Sequence, residues 1–149
     1  MPLSLRTSPL LTVVNVIVAL LFAAFAWLQR NDIDPAIYHQ ASRMDAALWL
    51  VFYALIAVLF LLTIFFRIPR WLLVVALIAC LVEMAVTFPG LRDNLFGGER
   101  FDMTGVSMSA EDPRIELTRE FFGAFIAFLG VLGLLIQQRV RNVSPADRG

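Results

Sequence analysis

The chain has 149 residues, 60% of them apolar and 16% charged, with a formal net charge of zero. A soluble domain of this length must cover itself with polar groups and rarely reaches that apolar share, while the lack of a basic surplus argues against a nucleic-acid partner. The length suits one domain without a separate catalytic module, and the single cysteine, Cys80, excludes an internal disulfide and any CxxC metal or redox motif.

A hydrocarbon core of about 30 Å is crossed by roughly 20 apolar residues in a helix. The first such segment runs from about Leu10 to Gln29. Arg6 ahead of it and the triplet Ala24-Phe25-Ala26 mimic a secretory signal, but the apolar run is longer than a signal core and is expected to persist as a first helix. The loop at 30–45 follows. Asp34-Pro35 within it is a good helix start, with a capping carboxylate and proline in the first turn. A short helix through His39, or one continuous with the second span, is expected there.

The second span covers about Ala46 to Phe66, and the link Arg67-Ile68-Pro69-Arg70 returns the chain into a third from Trp71 to Phe88. So short a link requires an antiparallel hairpin. The loop at 89–120 opens with Pro89, and Gly97-Gly98 and Thr104-Gly105-Val106-Ser107 read as irregular or hairpin-like. Ser109, Asp112 and Pro113 signal a helix start, so the fourth helix begins near Pro113 and spans from about Phe121 to Gln138. The expected fold is all-α, an integral membrane four-helix up-down bundle forming one domain over 1–149. In lipid only helices or closed barrels satisfy the backbone, and these runs do not alternate as barrel strands would.

All twelve basic residues are arginine, a hint of a GC-rich bacterial genome. Six (Arg6, Arg67, Arg70, Arg139, Arg141 and Arg148) fall on the side of the tails, 1–9 and 139–149. Six more (Arg30, Arg43, Arg92, Arg100, Arg114 and Arg119) share the other side with ten acids in longer loops. Basic residues in short connections set orientation, so both tails are expected in the cytoplasm of a bacterial inner membrane, with loops 30–45 and 89–120 outside. Trp27, Trp49 and Trp71 lie near span ends, as interfacial aromatics do.

Three segments resemble the transmembrane protein 220 family. Gln29-Arg30-Asn31-Asp32-Ile33-Asp34-Pro35 is similar to its Q-x-N-D-P-D-P signature, Trp49-x-x-x-Tyr53 to its W-x-x-x-Y, and Glu116-Leu117-Thr118-Arg119-Glu120-Phe121-Phe122-Gly123 to its E-x-x-R-E-x-x-G. Ile33 stands where the signature has proline, and a longer stretch separates the aspartates from Trp49. The resemblance implies a small four-helix membrane protein and carries no assigned activity.

The residues that could carry chemistry cluster at the loop side. Asn31, Asp32 and Asp34 offer oxygen ligands, but the glycine and distal glutamate of a calcium loop are missing, and helix capping with a tight turn is the expected use of the aspartates. His39, the one histidine, sits in no HxxxH, HExxH or EExxH pattern, so it joins Asp32 and Asp34 only as a weak metal candidate. Glu83 lies within the third span, where a carboxylate costs a few kcal/mol and demands a partner; Arg119 is one possibility. Glu116, Arg119 and Glu120 share one helix face at i, i+3 and i+4, and Arg119 could bridge these acids or reach the Asp32–Asp34 turn. Gly123, Ala127 and Gly130 form a small-residue stripe for helix packing.

No nucleophile–base pair, metal-ligand pattern, phosphate-binding loop or cofactor motif is evident, so no catalytic residue and no cofactor are expected. The functional expectation is a non-catalytic scaffold or accessory subunit of a larger membrane complex, such as a respiratory or photosynthetic one. Its partners would be the lipid bilayer and other integral membrane proteins. The alternatives are a ligand- or metal-binding protein or enzyme with an acidic site at the outer surface, and an oligomeric carrier using Glu83.

Overall fold

A computed structural model describes residues 8–39, 41–103 and 111–142. The helices are α1 (Pro9–Gln29), α2 (Arg43–Phe65), α3 (Arg70–Phe96) and α4 (Arg114–Asn142). Each is long and apolar enough to cross a membrane, and the described residues contain no strand. Thr104–Ser107, Ser109, Arg6 and Arg148 lie outside the described residues.

Local signals set the helix starts. Ser8 accepts a hydrogen bond from Leu11 N with Pro9 in the first turn, and Ser42 accepts one from Asp45 N. Ser42 therefore caps α2, and the expected helix after Asp34-Pro35 is absent among the described residues. There the chain makes a turn, in which Asp34 accepts from Ala36 N through its carboxylate and from Ile37 N and Tyr38 N through its carbonyl. Capping at Ser42 adjoins the apolar run, so it governs where α2 begins. Asp112 and Pro113 start α4, with Arg114 N donating to Asp112 Oδ1.

Helix α3 corrects a second expectation. It does not end at Phe88 but carries Pro89 inside it and continues to Phe96. Proline leaves one carbonyl without its donor, a loss that membrane helices tolerate when local hydroxyls and neighbouring helices compensate. Thr87 Oγ1 donates to Glu83 O one turn earlier. Beyond the proline, the fully buried Asn94 binds Asp102 through both amide atoms and Thr118 Oγ1 on α4. Arg114 reinforces this latch by reaching Asn94, the Arg100 carbonyl, Asp112 and Glu99.

Helix α1 packs along α2, α3 packs along α4, and α2 contacts α4 to join the pairs. Asn15 near the start of α1 bonds Gln137 near the end of α4, as neighbours of opposite direction require. The shared core stacks Phe22 against Tyr53 and Phe60, with Ala124, Ala127, Val131 and Leu134 of α4 closing it. Outward, the helices expose apolar residues such as Ile17, Leu20, Leu55, Val75, Ile78 and Ile136. A small-cored bundle with an apolar exterior is suited to lipid, where helix association relies on close packing.

Candidate functional site

Where α1 ends and α4 begins, the bundle encloses a half-open cavity of about 450 Å³. Helix α1 contributes Phe25, Leu28 and Gln29, the following turn Asp32 and Tyr38, and α2 Tyr53. Helix α4 contributes Glu116, Arg119, Glu120, Phe122, Gly123 and Ile126. Glu116, Glu120 and Gly123 stand at i, i+4 and i+7, so one face of α4 forms the wall. Met103, from the connection before α4, completes it, and Arg119 Nε donates to the Met103 carbonyl at 2.9 Å. The cavity is polar at one end and lined by Phe25, Leu28, Phe122 and Ile126 elsewhere.

The tie from the first loop to α4 runs through Glu116, which is buried and accepts a 2.6 Å hydrogen bond from His39 N. Beside it the Tyr38 phenol lies close enough to the Asp32 carboxylate for each to shift the other's proton affinity. Burial raises the Asp32 carboxyl above its ordinary value, and Tyr38 opposes that rise. Burial, then the neighbouring Asp32 and the charge of Glu116, push Tyr38 up to about 12, with Arg119 pulling the other way.

Three carboxylates and one guanidinium line the cavity. Glu120 also lies within electrostatic reach of Asp45 and Glu83. It makes no hydrogen bond or ion pair among the described residues. Anionic potential is therefore concentrated at this end.

The residues singled out from sequence separate here. Asp32, Glu116, Arg119, Glu120 and Gly123 meet in the cavity wall. Asn31 and Asp34 are exposed and serve the turn, and His39 contributes its backbone amide. Because α3 continues to Phe96, Glu83 stands midway along it and half-buried, and no arginine pairs with it among the described residues. No three His, Cys, Asp or Glu side chains among the described residues are grouped to hold a metal ion. Gly123 lies against Tyr53, Gly130 lies against Phe60, and Ala127 is fully buried, so the stripe faces the bundle interior.

The family model described as "Transmembrane family 220, helix" matches residues 21–136. The chain belongs to transmembrane family 220. The matched region contains every residue of the cavity wall. All three segments that resemble the family 220 signature reach the cavity: Gln29 and Asp32 from the first, Tyr53 from the second, and Glu116, Arg119, Glu120 and Gly123 from the third. No curated protein and no solved structure matches the chain. Tyr38, Phe25 and Met103 escaped sequence reasoning. Only the turn that brings Tyr38 back toward α4 makes it part of the wall.

Proposed function

We propose that this family 220 member is a membrane-embedded binding protein whose cavity receives a small molecule at the membrane surface. The convergence of all three signature-like segments on one cavity carries this reading. A volume of about 450 Å³ falls in the range of about 300–1,000 Å³ that suits small-molecule sites. The mixed lining, with apolar walls and a few converging polar groups, is also typical of such sites. Half-burial of the polar end fits a ligand that arrives through the headgroup region.

The compact Arg67–Arg70 link supports an orientation with the tails in the cytoplasm, which puts the cavity on the outer face of a bacterial inner membrane. Thiol labelling of single cysteines introduced at Asp93 and Arg139 in a Cys80→Ala background tests this. Labelling of the Asp93 position from the cytoplasm would reverse the orientation.

The binding reading is tested by purifying the full chain from its native membrane in gentle detergent and measuring particle size and bound small molecules by mass spectrometry. A small particle retaining a stoichiometric small molecule is the expected result. A large particle with stoichiometric protein partners and no retained small molecule would return the accessory-subunit expectation to the front and contradict a binding role.

A further inference from the structure

Resting on that binding reading, the structure also restricts what the ligand can be. Glu120 lines the cavity without a hydrogen-bond or ion-pair partner among the described residues, while Asp32 and Glu116 line the same wall. Asp45 and Glu83 add anionic potential from behind, against the single guanidinium of Arg119, whose Nε is turned to the Met103 carbonyl. An anionic ligand would meet net repulsion here. The described residues hold no group of three His, Cys, Asp or Glu side chains of the kind that would cage a metal ion. An organic cation needs no coordination geometry, and it gains from aromatic faces as well as from carboxylates. Phe25, Tyr53 and Phe122 supply those faces.

The apolar part of the wall identifies the rest of the molecule. Leu28 and Ile126 line the cavity and are also exposed, at 63% and 41%. They give the cavity an apolar rim, along which a ligand seated in it can pass a chain toward the bundle exterior. We propose that the cavity binds the ammonium head of a membrane amphiphile, with Glu120 as its principal counter-charge and its alkyl chain passing Leu28 and Ile126 into lipid.

The test uses the full chain in a mild non-ionic detergent and native mass spectrometry with four probes: dodecylamine, dodecanol, dodecyl sulfate and the chainless ethylamine. Dodecylamine is expected to bind about tenfold more tightly than any of the others, the scale of one charge-assisted contact. Glu120→Gln, which keeps the side-chain shape, removes that preference, while Ile126→Trp weakens every long-chain probe. Both variants are compared only as monodisperse particles of wild-type size.

Equal binding of amine and alcohol, still sensitive to Ile126→Trp, would overturn the ammonium assignment and leave the cavity as a binding site. Ethylamine binding as tightly as dodecylamine would overturn the amphiphile and point to a soluble amine. Probe binding that ignores Ile126→Trp altogether would overturn the binding reading itself.

Discussion

Tyr38 reports most directly on the charge balance at the cavity mouth. Its phenol is held above the ordinary value near 10, at about 12, by burial and by Asp32. The folded chain therefore retains this proton between about pH 10 and 12 after the unfolded chain has lost it, so stability falls as pH rises through that window. Asp32 has the same sign at lower pH: its raised carboxyl favours folding below the ordinary value of 3.8, and that contribution is lost as pH rises through the folded value. In a Tyr53→Phe background, where Tyr38 is the remaining tyrosine, phenolate absorbance should titrate near 12, and adding Asp32→Asn should move it downward. A midpoint near 10 before that change would remove the Asp32–Tyr38 interaction from the account. At this scale the sequence was partly legible. The i, i+3, i+4 spacing of Glu116, Arg119 and Glu120 already puts them on one face, because helical geometry is local. The partners Tyr38, Met103 and the His39 amide come from loops, whose return path no spacing encodes.

At the scale of the elements, α3 differs most from its sequence reading. The span was expected to reach Phe88 and the loop to open at Pro89, yet the helix runs two turns further, beside the Asn94 latch and the close approach of α4. The bond from Asn94 to Thr118 joins positions 24 apart in sequence, and such non-local contacts outweigh a local breaker. Gly90 marks a close approach, since an added Cβ would run into Leu117 Cβ on α4. Gly90→Ala should destabilise the bundle by about 1–3 kcal/mol, the usual cost of overpacking, and lower the melting temperature in detergent. Gly133→Ala is the matched control, because nothing lies within 4 Å of its added methyl. Equal melting temperatures for the two variants would mean that α3 and α4 are not in this contact. The four apolar runs and the hairpin at Arg67–Arg70 were, by contrast, plain from length alone, because the bilayer sets the helix length.

For the whole molecule, the number of helices and the family were readable from the chain, and the cavity was not. Each signature-like segment taken alone has an ordinary use: capping for the aspartates, an interfacial aromatic pair for Trp49 and Tyr53, ion pairing for the acids of α4. They come together only when α1 and α2 are set against α4, where Phe22 stacks on Tyr53 and Phe60. The most direct test is a pair of tryptophan substitutions at exposed isoleucines of the same helix. Ile126 lines the cavity, whereas Ile136 is exposed beyond it. Retention of the co-purifying small molecule should fall severalfold in Ile126→Trp and match wild type in Ile136→Trp, with both proteins monodisperse. Full retention in Ile126→Trp, or equal loss in both variants, would contradict the claim that family 220's signature segments converge here on a binding site.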